Sequence, residues 1–318
     1  MNLNVINYVG GKFFLKNKIY SITPNHTIFV EAFGGGANVL LHKPPSKVEV
    51  YNDLNKDLAN LFYVLSFHYD EFYKKVKFLV YSREIFNVIK KEIQNTKIQS
   101  IPDVDRAVKV FYLYNTSFSG SGRSFGYGLT KSKAEGFSRK IKRLEYVNER
   151  LKNVTIEALD FEEVIKKYDT EDTLFFLDPP YFGAEFYYST KDLSFKYEDH
   201  LRLLQLVKNI KGKFILTTYE NELYSTELKD FNLITFDAVK HSRGITKLSK
   251  NKEKPKVKEL VYFNFQLQQN SSKDKTWQKL KNFFDFFLVV SGYRLEEQSK
   301  RAPEGAFFLF VKWNFSFN

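Results

Sequence analysis

The residues best suited to chemistry lie in the turn Asp178-Pro179-Pro180-Tyr181, which follows the apolar run Thr173–Leu177. Prolines fix the backbone and donate no hydrogen bonds, so their carbonyls can face outward beside the Asp178 carboxylate. Two acceptors beside the Tyr181 ring suit a planar aromatic amine such as the exocyclic amine of adenine. They would stabilise the positive charge that methyl transfer develops on its nitrogen, and no metal is needed. The alternative is a rigid strand-end turn in which Asp178 caps a backbone amide.

A glycine-rich turn at residues 31–41 (EAFGGGANVLL) indicates a binding loop. It follows a strand-like run and enters a helical pattern, and its glycines let the backbone approach a ligand without a Cβ clash. Asp53 ends the next strand-like run, where a carboxylate can accept hydrogen bonds from a ribose. The spacing fits neither G-x-G-x-x-G nor a P-loop, which favours a nucleoside cofactor without a pyrophosphate. The alternative is a tight turn, with Asp53 capping the following helix.

Strand-like and helical segments alternate around both turns. Strand-like runs occupy residues 27–32, 47–52, 154–159, Thr173–Leu177 and Lys213–Tyr219, and several of them are nearly continuous in apolar residues, as is typical of strands covered on both faces. Helical patterns occupy residues 54–65, with Leu54 on the apolar face, and residues 200–210. The alternation predicts an α/β fold with an open, doubly wound sheet.

The remaining segments divide the chain into regions. Residues 66–150 read as helices with a Gly- and Ser-rich loop at 115–128, including a buried helix at 104–114. After residue 213, strands at 232–239 and 259–265 flank a long basic loop, and a helix at 277–289 and a strand at 306–313 follow. We therefore predict a catalytic domain (1–65 and 151–265), a helical recognition insert (66–150) and a C-terminal extension without an assigned role (266–318).

Composition excludes some classes and locates the charge. The 318 residues contain no cysteine, which excludes a disulfide scaffold, a thiolate nucleophile and Cys-ligated metal sites. The net charge is +12. Seven basic residues and one acid lie in window 123–143, and eight basic residues and one acid lie in window 240–258, so these windows account for the whole excess. Without a signal peptide or an apolar run long enough to span a membrane, we expect a cytoplasmic protein.

Five motifs together resemble the Dam-type adenine DNA methyltransferases of the alpha group. They are YVGGK at residues 8–12, FVEAFGGGANVLL at 29–41, VYNDLNKDL at 50–58, Leu-Asp-Phe at 159–161 and the tetrapeptide at 178–181. Their order, with a helical insert before the catalytic motif, is also that of the alpha group. The resemblance covers residues 5–265 and implies a Rossmann-like S-adenosylmethionine-dependent sheet with a helical target-recognition insert and a β-hairpin.

The resemblance also implies a cofactor site and a partner. The cofactor would be S-adenosyl-L-methionine, contacted by Tyr8, Lys12, Phe33, Gly34, Gly35, Gly36, Asp53, Asp160 and Asp178. Ala32 and Ala37 depart from the proline and glycine that the family often has there. The partner would be double-stranded DNA with the target base flipped towards Tyr181. A cognate restriction endonuclease is a candidate second partner, and we expect a monomer.

The basic windows would then contact DNA phosphates. The predicted contacts are Arg123, Lys131, Lys133, Lys240, Arg243, Lys247, Lys250, Lys252 and Lys254. Asn115 and Ser119 either contact bases or cap the turn, and a side chain from residues 117–125 would fill the gap left in the duplex. Two other functions stay open: methylation of another planar amine (cytosine, RNA adenine or a protein Gln), and nucleic-acid binding without catalysis. Asp178 in place of Ser disfavours cytosine, and the basic hairpin disfavours a protein substrate.

Overall fold

A seven-stranded sheet organises the protein in a computed structural model, which describes residues 2–12, 15–185, 194–239 and 256–267. The strand order is β3-β2-β1-β4-β5-β7-β6. Strands β1 to β5 run parallel to one another, and β7 is antiparallel to β5 and β6. The strands are β1 Ile28–Glu31, β2 Val48–Asn52, β3 Val154–Glu157, β4 Thr173–Leu177, β5 Lys213–Tyr219, β6 Asn232–Val239 and β7 Lys256–Phe263.

Ten α-helices accompany the sheet within the described part of the chain. Six of them, α2 to α7, belong to the segment between β2 and β3. The helices are α1 Lys16–Ile22, α2 Lys56–Phe67, α3 Tyr69–Val76, α4 Arg83–Asn95, α5 Val104–Thr116, α6 Lys133–Ile141, α7 Leu144–Leu151, α8 Phe161–Tyr168, α9 Tyr197–Lys208 and α10 Glu222–Glu227. None of the helices described here is long and apolar enough to cross a membrane.

The centre of the sheet explains where a ligand can bind. All five residues of β4 are buried, because one hydrophobic cluster covers each face of the sheet. From β1 the chain continues outward to β2 and β3, whereas from β4 it continues the other way to β5. This reversal leaves a crevice at the carboxyl ends of β1 and β4, the usual ligand position in open α/β sheets. The glycine turn follows β1, and Asp178 follows β4.

Polar contacts attach the helical insert to α2. Arg106 of α5 is 8% exposed and pairs with Asp57 in the first turn of α2. The buried Asn60 side chain donates to the Asp103 carbonyl and accepts from the Asp103 amide, both at 2.8 Å. Apolar residues of α5, including Phe111, belong to the same hydrophobic cluster as residues of α2 and the sheet. The insert and the sheet therefore share a core.

Several predicted boundaries agree with the structure. The segments Thr173–Leu177, Lys213–Tyr219 and Asn232–Val239 are strands over the predicted residues. Strand β7 begins three residues before the predicted position, at Lys256. The described residues all belong to one compact unit, Met1–Leu267. The helix and strand predicted after residue 266 lie outside the described residues, as do residues 240–255 of the basic loop predicted at 240–258.

Two local predictions were wrong. The helical pattern after the glycine turn forms turns instead of a regular helix, and Gly35 and Ala37, just before these turns, have positive φ values of 48° and 52°. The Leu40 amide there donates to the buried Glu31 carboxylate. Leu54 does not lie on a buried helical face: α2 begins at Lys56, and Leu54 is 48% exposed.

Candidate active site

One cavity lies at the carboxyl ends of β1, β2 and β4, where the topology leaves the crevice. Its volume is about 170 Å³. All nine residues predicted to contact the cofactor line it: Tyr8, Lys12, Phe33, Gly34, Gly35, Gly36, Asp53, Asp160 and Asp178. The fold thus brings together residues that lie up to 170 positions apart in the chain.

The glycine turn is shaped by contacts with β2 and the residue after it. A Cβ atom on Gly34 would lie 2.2 Å from the Tyr51 ring, so this position accepts no side chain. The Tyr51 hydroxyl donates to the Gly35 carbonyl at 3.0 Å, and the Gly35 amide donates to Asp53 Oδ2 at 2.7 Å. Ala37, a departure from the family pattern, takes the positive φ that glycine adopts more easily.

Asp53 supports the turn and does not cap the helix. Its Oδ1 accepts from the Asn55 amide at 2.8 Å, while Asn55 itself is the N-cap of α2. Burial raises the pKa of Asp53 to about 6, because it outweighs the two amide hydrogen bonds that lower it. Asp53 is therefore mainly ionised at neutral pH and presents an acceptor at the cavity wall.

Asp178 is held by side chains from distant segments. Its Oδ1 accepts from the Thr217 hydroxyl at 2.7 Å, and Lys12 Nζ lies 2.7 Å from Oδ1 and 2.8 Å from Oδ2. Lys12 Nζ also donates to the Gly10 carbonyl at 2.9 Å. Among the described contacts of Asp178 there is no backbone amide, so its partners do not fit the alternative in which it only caps the turn.

The other members of the tetrapeptide divide between the cavity wall and the layer behind it. Pro180 lines the cavity, whereas Pro179 is buried. Tyr181 is 4% exposed, packs edge-on against Tyr219 with ring centroids 4.5 Å apart, and donates its hydroxyl to Glu259. Lys12 Nζ lies 4.6 Å from the centre of the Tyr181 ring. The stacking of a target base on Tyr181 stays a prediction.

An aromatic wall closes the side of the cavity near α8 and α9. Phe33 stacks on Phe161 at 5.5 Å, and Phe195 meets both rings edge-on or tilted. Asp160 caps α8 and forms a bidentate ion pair with Arg202, with hydrogen bonds of 2.9 and 3.0 Å. The Arg202 guanidinium also lies 4.3 Å from the Phe161 ring centre. Asp160 reaches the cavity with its orientation fixed by Arg202.

Sequence reasoning missed several polar residues around the site, among them Glu31, Asn38, Arg202 and Glu259. Glu31, Asn38 and Arg202 line the cavity, and Glu259 lies behind the catalytic turn. Burial raises the pKa of Glu31 to about 8, so this carboxyl is mainly protonated at neutral pH. Of these four residues, only Glu31 and Asn38 could have been found from the sequence, since both lie inside the glycine motif. Arg202 and Glu259 come from α9 and β7, whose positions follow from the tertiary structure.

The structure distinguishes the predicted DNA contacts from one another. Arg123, Lys131, Lys133 and Ser119 are exposed on the insert. Asn115 is 7% exposed, and its side-chain amide donates to the carbonyls of residues 5 and 111 at 3.0 and 2.9 Å. The packing therefore favours the structural role that the sequence left open for Asn115. The remaining six residues lie outside the described ones: Lys240, Arg243, Lys247, Lys250, Lys252 and Lys254.

The sheet order, the glycine turn and the acidic residues at the strand ends define a Rossmann-like methyltransferase. Residues 8–242 match the family described as D12 class N6 adenine-specific DNA methyltransferase. The chain belongs to this family and is an adenine-specific DNA methyltransferase.

Two bacterial relatives support the assignment. The chain is 26% identical over 279 residues to a protein of Lactococcus lactis subsp. cremoris named Type II methyltransferase M1.LlaDCHI, and the match covers 81% of this chain and 94% of the relative. It is 27% identical over 202 residues to a protein of Lactococcus lactis subsp. lactis named Modification methylase LlaI, covering 57% of this chain and 30% of that longer relative.

Proposed function

We propose that the methyl donor is S-adenosyl-L-methionine, bound in the cavity between the glycine turn and Asp160. The observation that carries this proposal is the convergence of all nine predicted cofactor residues, Asp178 among them, on one cavity that Pro180 also lines. When bound, this donor supplies an electrophilic methyl group on a sulfonium centre.

The residues present fit such a donor. Asn38 is 4% exposed and lines the cavity, and its Oδ1 atom has no hydrogen-bond partner among the described residues. A buried acceptor of this kind is costly unless a ligand or water satisfies it. Asp53 offers an ionised acceptor for ribose hydroxyls. Phe33 and Phe161 offer an apolar surface beside Asp160 for a purine ring.

The target adenine would reach the other end of the cavity. The Asp178 carboxylate and the Pro180 carbonyl would accept the two amino hydrogens and stabilise the positive charge that develops on the nitrogen. Because the target atom is inaccessible inside a duplex, the base must leave the stack. The exposed basic residues Arg123, Lys131 and Lys133 would hold the DNA backbone. A restriction endonuclease partner and a monomeric state stay predictions.

The test combines binding, transfer and product identity. Calorimetry should detect S-adenosylmethionine binding, and labelled donor with mixed-sequence duplex should yield methyladenine by mass spectrometry. Asp178→Ala should lower transfer at least about 100-fold, because it removes one of the two groups aimed at the developing charge. The control is Asp172→Ala, an exposed residue before β4 that should retain wild-type transfer. Full activity in Asp178→Ala would refute its role, and absent donor binding would refute the cofactor assignment.

A further inference from the structure

A second buried carboxylate lies directly behind the catalytic turn. Glu259 belongs to β7 and pairs with Tyr219 of β5 in the antiparallel register. It is 4% exposed, and its carboxylate accepts the Tyr181 hydroxyl. The same oxygen, Oε1, lies 3.4 Å from Lys12 Nζ. Glu259 therefore contacts one member of the catalytic tetrapeptide and the lysine that holds another.

The charges of this cluster do not cancel. Lys12 lies between two carboxylates, at 2.7 Å from Asp178 and 3.4 Å from Glu259, and the three side chains are 7, 16 and 5% exposed, respectively. With all three ionised, the cluster carries one net negative charge. Without the charge of Glu259, Lys12 and Asp178 would form a neutral pair. In a poorly hydrated site, a neutral pair stabilises a developing positive charge much less than a net anion does.

We propose that Glu259 is a positioning residue for methyl transfer, which holds Lys12 and Tyr181 in place and leaves Asp178 its negative charge for the target amine. This inference rests on the proposed function of Asp178. Glu259 acts through its neighbours and does not itself contact the base, so its loss should lower kcat and leave the KM values for donor and DNA nearly unchanged.

The ionisation of Glu259 gives a distinctive pH dependence. Burial raises the pKa of Glu259 above its usual range, and Asp178 acts in the same direction, while Lys12 and the Tyr181 hydroxyl oppose it. On the β1 side, Glu31 faces Asp178, with a pKa of about 8 that keeps it mainly protonated at neutral pH. As pH falls through the raised pKa of Glu259, the cluster becomes neutral. The kcat of the wild type should therefore decline on the acid side.

The substitution Glu259→Gln separates charge from shape. The glutamine can still accept the Tyr181 hydroxyl, so the fold and the KM values should persist, but kcat at pH 7.5 should fall about 10- to 100-fold. The acid decline of kcat should disappear, because glutamine does not titrate. The control is Asp237→Asn, which removes an exposed carboxylate from the neighbouring strand β6. It should retain both the activity and the pH profile of the wild type.

A second measurement needs no methyl transfer. In protein labelled with ¹³C at glutamate carboxyls, the resonance that is missing from the spectrum of Glu259→Gln belongs to Glu259. The midpoint of the pH titration of this resonance should coincide with the acid decline of wild-type kcat. Two results would overturn the inference: an unchanged kcat in Glu259→Gln, or a Glu259 midpoint well below that decline. Failure of the proposed function looks different, since the wild type itself would then transfer no methyl group to adenine.

Discussion

Lys140 of α6 joins the helical insert to the N-terminal segment without a carboxylate among its described partners. Its Nζ donates to three side-chain amide oxygens: Asn115 at 2.7 Å, Asn7 at 3.0 Å and Asn4 at 3.4 Å. An ammonium group has three donors, so the three oxygens match it. Burial lowers the pKa of Lys140 to about 7 from 10.5, and nearby Arg143 adds to the effect. The segment that it holds leads directly into the cofactor loop at Tyr8.

The lowered pKa makes stability depend on pH in a defined direction. Between pH 7 and 10.5 the unfolded chain binds a proton at residue 140 that the folded protein does not bind. Stability must therefore rise with pH across that window, and below pH 7 the cost of burying the charge is fully present. The two pKa values imply a contribution of about 2 to 3 kcal/mol to the free energy of unfolding between pH 7.5 and 9.5, from about 1.4 kcal/mol per pH unit of protonation difference.

Urea unfolding at pH 7.5 and 9.5 can measure this contribution by comparison of variants. Lys140→Met removes the titrating group, so the free energy of unfolding of the wild type should rise by about 2 to 3 kcal/mol more than that of this variant between the two pH values. Other ionisable groups are common to both proteins and cancel in the difference. The control Lys142→Met replaces an exposed neighbour, and its free energy of unfolding should change with pH as that of the wild type does. If the free energy of unfolding changed equally with pH in Lys140→Met and in the wild type, Lys140 would be charged throughout the range.

Further predictions concern the backbone, the cofactor and DNA. Gly120→Ala should lower the free energy of unfolding by at least about 2 kcal/mol, because φ is +70° and a Cβ would lie 2.1 Å from a carbonyl oxygen. Gly136→Ala in α6, with no atom within 4 Å, should raise it by about 1 kcal/mol in the same urea assay. S-adenosylmethionine affinity, measured by calorimetry, should fall as pH drops through the Asp53 pKa of about 6, and Asp53→Asn should abolish this dependence. Replacing Lys131 and Lys133 by Gln should reduce the steepness of the plot of log binding constant for DNA against log salt concentration by about 2, because two phosphate contacts are lost.

The family, the reaction and most of the sheet could be predicted from sequence because their signals are local. Strand β4 is an apolar run bounded by polar residues, and it ends directly at Asp178. The glycine turn needs residues without side chains, and Gly34 shows why, since the Tyr51 ring fills the space of a Cβ. The prediction failed after this turn, where apolar spacing suggested a helix. There the buried Glu31 carboxyl group accepts a hydrogen bond from the Leu40 amide, and no local sequence pattern predicts such a contact.

The sequence by itself determined which groups are available for chemistry and in which order they occur along the chain. The tertiary structure decided how those groups are charged and paired. Glu259 lies 81 residues after Asp178 in the chain, yet the antiparallel addition of β7 next to β5 places it behind the catalytic turn. From the sequence, Asn115 could either contact a base or cap a turn. The packing of α5 and α6 buries its side chain beside Lys140. Burial and long-range neighbours set protonation and hydrogen bonding, and both depend on the complete fold.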